Sequence, residues 1–143
     1  MLENNEVSQF LMGFAETFLQ DKPELAANCC VVPNIIIGEQ NKCVFNSRKE
    51  LENLFMDFSN ALVTQGITGF LPIINQTLRL SDSLYFTNMR WQLIDSNNEV
   101  SITWATSYTL QQMEDGQLKI IITVVDDDHQ QLKKLLPTEL RLG

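Results

Sequence analysis

Val124-Val125-Asp126-Asp127-Asp128-His129 closes the most apolar run of the chain, and it places three carboxylates and the only histidine within four residues. Such a set can bind a divalent cation through oxygen. It can supply a general acid or base, or it can be a group of solvated acids that end a strand and discourage edge pairing. Side chains of a strand alternate between faces. Asp126 therefore continues the side of Ile122 and Val124, Asp127 continues the other, and His129 lies across from Asp126 and Asp128. Period-two spacing does not bring three ligands onto one ion, so no metal and no cofactor are expected. Asp126 is the candidate proton-transfer group, and Tyr108 is the second.

A site built on those groups needs apolar walls. Trp91, Trp104 and Met89 stand at positions that share a strand face with Tyr108, and Phe14 and Phe18 lie on one stripe of the first helical segment. Ile122 and Val124 complete this side. Gln76 and Thr106 are the polar candidates there for orienting a ligand carbonyl, with Thr87 a weaker one. Aromatic residues on one sheet face serve plain core packing as well as they serve a cavity, and both readings stay open at this point.

The elements that position these residues follow from pattern. Val7, Phe10, Leu11, Phe14 and Phe18 recur at helical spacing. Asp21-Lys22-Pro23-Glu24 reads as an Asp-x-x-Glu capping box opening a short second helix. Two brief strands follow, Asn34 to Gly38 and Lys42 to Phe45. Ser47 and Glu50 form another capping box, and the helix they open carries Leu51, Leu54, Phe55, Phe58 and Leu62, with Gly66 placed to end it. After Gly66 the period changes to two. Four long strands are predicted over 68–80, 84–95, 99–112 and 117–127, with turn-forming breaks between them. Pro72 predicts an edge or a bulge in the first of these. Connections this short imply an antiparallel meander, and helices segregated from one such sheet define an α+β domain.

Bulk properties limit the function classes. A chain of 143 residues with 44% hydrophobic residues suits one domain with a real core. A formal net charge of −8 argues against nucleic acid and against an anionic membrane surface. No apolar run reaches membrane-spanning length, and the opening MLENNEV does not read as a basic, apolar leader. Cys29 and Cys30 are adjacent, Cys43 stands apart, and no Cys-x-x-Cys pair occurs. Reduced thiols in a cytoplasmic protein are expected. One sheet face is large and aromatic. The other is small and polar yet keeps Ile73, Ile121 and Val125, a mixture that suits contact with a second subunit. The tail 129–143 carries Leu132, Leu135, Leu136, Leu140 and Leu142. These leucines are expected to cap the domain or clasp a partner, with Pro137 breaking any helix there.

The order of elements resembles the nuclear transport factor 2-like superfamily, in particular its small bacterial SnoaL-like members. The resemblance runs over residues 6–128. It rests on Phe18-Leu19-Gln20-Asp21 at the first helix end, the Asp-Lys-Pro-Glu second helix and the strand entry Asn34 to Ile37. Ser47-Arg48-Lys49-Glu50-Leu51 at the third helix and Glu114 to Ile120 at the last hairpin complete it. It implies a cone-shaped, curved antiparallel sheet packed on three N-terminal helices, a cavity for small apolar molecules, and a homodimer through the outer sheet face. Within the superfamily, ketosteroid isomerase uses a tyrosine on the first helix and a carboxylate on the first strand. An ungapped match puts Phe14 and Gly38 at those positions, and neither can do that chemistry. The expectation is a homodimeric domain that binds a small apolar or aromatic molecule. The alternative is an isomerase, dehydratase or cyclase using Asp126 or Tyr108, and a third possibility is a dimerisation module with a filled core.

Overall fold

The computed structural model describes residues 4–39 and 41–136. The elements run α1 (Asn4–Leu19), α2 (Pro23–Ala27), β1 (Cys30–Ile37), β2 (Lys42–Phe45), α3 (Arg48–Thr64), β3 (Ile67–Arg79), β4 (Leu84–Asp95), β5 (Val100–Gln112) and β6 (Leu118–Asp126). A single 3-10 turn, Leu132–Lys134, follows. None of the described helices is long and apolar enough to cross a membrane.

Local chemistry explains most boundaries. On α1, Val7, Leu11, Phe14, Ala15 and Phe18 are buried, so the stripe faces the sheet and Phe10 sits at its margin. The α3 start is a capping box. Ser47 Oγ accepts from the Glu50 amide at 3.2 Å, and the Glu50 carboxylate accepts from the Asn46 amide at 2.9 Å. The same helix ends at Gly66, whose φ of +71° is a left-handed conformation that costs glycine little. The box expected at Asp21 does not form. Asp21 takes φ +56° where the chain leaves α1, whereas an N-cap needs an extended backbone. Lys22 is the N-cap instead, with no side-chain cap, and Pro23 opens α2.

The six strands form one sheet in the order β2-β1-β6-β5-β4-β3. Strands β3 to β6 pair antiparallel in sequence, and Pro72 sits on β3, which is an edge. The sheet is not wholly antiparallel as predicted, because β1 runs parallel to β6. Turn lengths reveal only pairings between consecutive strands. The β1–β6 pair is closed by a long path through β2, α3, β3, β4 and β5, which no local signal announces.

Register shifts occur within this sheet. The β3–β4 ladder skips Thr68 and Asn75, β4–β5 skips Ser101, and β5–β6 skips Ile121. Each is one extra residue on one strand, which bends the sheet and increases its twist. The bent sheet wraps its aromatic face around α1 and α3. Tyr85, Thr87, Met89, Trp91 and Leu93 of β4 alternate buried with half-buried neighbours, as do Ile102, Trp104, Thr106, Tyr108 and Leu110 of β5. Edge-to-face ring pairs tie helices to sheet: Phe18 lies 4.9 Å from Phe58, and Phe58 lies 6.5 Å from Trp104. Rings in this arrangement contribute beyond their buried area.

Candidate functional site: an apolar cavity under the tail

The helices do not fill the concave side of the sheet. A cavity of about 110 Å³ remains between them. Phe14 and Phe18 of α1 and Leu54, Phe55 and Phe58 of α3 form one wall. Trp91, Trp104 and Tyr108 form the floor, and Thr123 and Val125 of β6 close one side. Asn34 and Ile36 of β1 stand next to them. Leu132 and Leu136 of the tail also line it, and the space stays half open. The volume is of the order of the roughly 150 Å³ engineered cavity that admits benzene, and it lies below the roughly 300 Å³ at which drug-sized pockets begin.

The polar groups at this cavity are uncharged. Trp91 Nε1 donates to the Tyr108 hydroxyl at 2.8 Å. Burial pushes the Tyr108 phenol well above its ordinary pKa, so it stays neutral. The Cys30 thiol donates to the Ala26 carbonyl at 3.8 Å, and burial pushes its pKa up to about 12. Asn34 is 2% exposed. Its Nδ2 donates to the Val31 carbonyl at 3.1 Å and to the Ile120 carbonyl at 2.9 Å. Two carbonyl acceptors fix the amide orientation, because only the NH2 end can satisfy them. No Asp, Glu, Lys, Arg or His is among the described residues lining the cavity.

A family model described as NTF2-like protein (DUF6841) matches residues 5–128. The chain belongs to this family. Solved NTF2-like structures share its fold at low identity. An NTF-2 like protein of unknown function from Shewanella oneidensis MR-1 aligns with a TM-score of 0.67 and 14% identity, covering 88% of this chain and 100% of that one. A putative calcium/calmodulin dependent protein kinase II association domain from Xanthomonas campestris aligns at 0.62 and 18%, covering 87% of each. A ketosteroid isomerase-like protein from Erwinia carotovora atroseptica SCRI1043 aligns at 0.59 and 8%, covering 87% and 96%. The search of curated proteins returned no match.

Within this NTF2-like fold, the residues singled out from sequence separate into three groups. Phe14, Phe18, Trp91, Trp104 and Tyr108 line the cavity. Met89 and Thr106 are buried on the same sheet face without reaching it, and the Thr106 hydroxyl is committed to the Val124 carbonyl at 2.9 Å. Gln76, Ile122, Val124 and Asp126 were expected inside and are not. The bulge at Ile121 pairs Leu110 with Ile120 but Thr109 with Ile122. From there on the faces exchange, so Thr123 and Val125 point inward while Ile122, Val124 and Asp126 point outward. Val124 is 41% exposed, and Asp126 is exposed opposite Ala105. The bulge at Asn75 does the same to β3. Gln76 pairs with outward Asn88, and Thr77 takes the inner position opposite Thr87. The Thr87 hydroxyl is spent on the Gln76 carbonyl at 3.1 Å, so it too is unavailable to a ligand.

The acidic stretch resolves into separate structural roles. Asp126 faces out. Asp127 caps the tail: Oδ1 accepts from the amides of Gln131 at 2.7 Å and Leu132 at 3.0 Å, and Oδ2 accepts from Lys133 at 3.3 Å. Asp128 pairs with Arg90 on the outer face, and that hydrogen bond holds its carboxyl below the usual range. His129 is exposed. Among the described residues no group of three His, Cys, Asp or Glu is placed to hold a metal. The Asp127 cap, with the Thr103 amide donating to Gln131 Oε1 at 2.8 Å, seats Leu132 and Leu135, which are 4% and 1% exposed. Pro137, Leu140 and Leu142 lie outside the described residues. Asn34, Thr123, Val125, Phe55 and Phe58 are cavity residues that pattern reading did not assign to the site. For the phenylalanines the inward stripe of α3 was the available signal, and for Asn34 it was a lone amide set directly before three isoleucines.

Proposed function

We propose that this NTF2-like chain binds a small, uncharged, mostly apolar molecule in the cavity between α1, α3 and the sheet. The observation that carries this reading is a half-open space walled by aromatic and aliphatic side chains and supplied, among the described residues, only with neutral polar groups. A small apolar molecule seated there would gain dispersion contacts with these walls. The isomerase, dehydratase or cyclase alternative needed an inward carboxylate. With Asp126 outside, no carboxylate among the described residues reaches the cavity, and no observation favours it.

The same proposal includes self-association through the outer sheet face. Leu71, Ile73 and Leu78 of β3 and Val124 of β6 are each more than 40% exposed there. Grouped apolar exposure of this kind marks contact surfaces. The three cysteines are free thiols, which suits the reducing cytoplasm.

Toluene tests the cavity reading. Saturating toluene is expected to raise the Tm of the wild-type chain, since a ligand bound only by the folded state stabilises it. Val125→Phe, which fills the space, is expected to abolish that rise. Equal responses of the two chains, or none in the wild type, would refute it.

A further inference from the structure

The cavity contains one buried acceptor that no described residue uses. Both protons of the Asn34 amide are committed to the Val31 and Ile120 carbonyls, which turns Oδ1 away from them. No described group donates to that oxygen. It is also not among the fully enclosed polar atoms that lack a partner, of which Ser59 Oγ is the sole one described. Oδ1 therefore opens on free space, and the space that Asn34 lines is the cavity. A second polar atom lies beside it. Thr123 pairs with Ile36, two residues beyond Asn34 on the same face of adjacent strand β1. Its hydroxyl makes no hydrogen bond to a described residue, and Thr123 also lines the cavity. By contrast, the hydroxyls of Thr87 and Thr106 are spent on carbonyls, and that of Tyr108 accepts from Trp91 and has Thr106 as its other hydrogen-bonding neighbour.

An amide oxygen is an acceptor only, and it selects a donor. A site that offers a buried acceptor disfavours ligands without a donor, because filling the space then leaves the oxygen without water or partner. An anion would meet that oxygen with no cation to offset its burial. The remaining walls are rings, aliphatic chains and the thiols of Cys30 and Cys43, at one-ring volume.

Resting on the cavity reading above, we propose that the ligand is a neutral, single-ring molecule with an O–H or N–H, donated to Asn34 Oδ1 and flanked by the Thr123 hydroxyl.

The test measures affinities of phenol, toluene and benzoate for the full chain by calorimetry, in wild type, Asn34→Ala and Thr123→Val. The informative quantity is the phenol-to-toluene affinity ratio, which cancels general loosening of the cavity. One hydrogen bond between neutral groups is worth roughly 2- to 13-fold. The ratio is expected to fall about tenfold in Asn34→Ala and about threefold in Thr123→Val, with toluene affinity in Thr123→Val within about twofold of wild type. Benzoate is expected not to bind. Should Asn34→Ala fail to fold, Thr123→Val carries the test, since it exchanges an unbonded hydroxyl for a methyl of like shape. A ratio unchanged in every folded variant overturns the donor assignment while leaving the cavity reading intact. Benzoate binding as tightly as phenol overturns the neutrality of the ligand. Failure of both phenol and toluene to bind overturns this assignment and the cavity reading together.

Discussion

Replacing Asp127 by alanine separates three adjacent acids that look alike in sequence. Its carboxylate accepts from three tail amides, two of them at 2.7 and 3.0 Å. Those amides begin a 3-10 turn whose neighbours cannot satisfy them, so the carboxylate acts as a helix cap. Loss of such a cap costs about 0.5–2 kcal/mol, and the charged acceptor together with two short bonds favours the upper half of that range. Leu132 and Leu135 sit directly beyond the cap, so part of the loss will surface as fraying of the strap over the cavity. For a chain of this length about 1.5 kcal/mol corresponds to a fall in Tm of roughly 5 °C. Thermal denaturation followed by near-ultraviolet circular dichroism reads the total, and amide exchange at Gln131, Leu132 and Lys133 reads the local opening. Asp126→Ala serves as the control, expected within about 0.5 kcal/mol of wild type because Asp126 is exposed. An Asp127→Ala chain no less stable than Asp126→Ala, with exchange at those amides unchanged, would refute the cap and with it the seating of the tail.

Further outcomes follow from the buried polar groups and the outer face. Tyr108→Phe strands the Trp91 N–H in the core and is expected to cost about 1–3 kcal/mol, measured by urea denaturation; an unchanged midpoint would contradict the bond. The Cys30 thiol, pushed up to about 12 by burial, is expected to alkylate at pH 8 at least about tenfold more slowly in the native chain than in urea. Mass mapping of the modified cysteines checks this, and comparable rates in the two states would contradict it. Arg90→Met removes the partner of Asp128, whose carboxyl is held below its usual range. A depressed acid stabilises the fold above its unfolded pKa, about 4, and loses that contribution as pH falls through its folded value. Arg90 also donates to the Thr103 hydroxyl at 3.1 Å, a bond that does not titrate, so the small difference in urea midpoint between wild type and Arg90→Met is expected to be larger at pH 6 than at pH 2; a difference independent of pH would contradict it.

Most of the architecture was legible because its signals are local. The Ser47–Glu50 box, Gly66, the turn compositions and the period-two alternation of β4 and β5 each act within a few residues. The faces of β3 and β6 were not legible beyond their bulges, and the composition of β6 explains why. Ile120, Ile121 and Ile122 are all apolar, so inserting a residue among them leaves no break in the polar pattern, and Thr123-Val124-Val125 carries too little contrast to show the exchange. On β3, Asn75 and Gln76 are both polar, with the same result. One skipped residue on each strand moved Asp126 and Gln76 outside and brought Thr123 and Thr77 in. The parallel β1–β6 pairing escaped for a different reason, since its partners are far apart in the chain and joined by no turn. Asn34 was overlooked because an amide at the start of a short strand gives no sign of which face it takes until its two carbonyl partners are seen.

The central claim, that an apolar cavity lies behind an exchanged face on β6, is tested most directly by titrating isotopically labelled chain with toluene and following backbone and methyl resonances. Saturable shifts are expected at Thr123, Val125, Phe14 and Leu132, with Ile122, Val124 and Asp126 little changed. Shifts confined to Ile122, Val124 and Asp126, or no saturable shift anywhere, would contradict it.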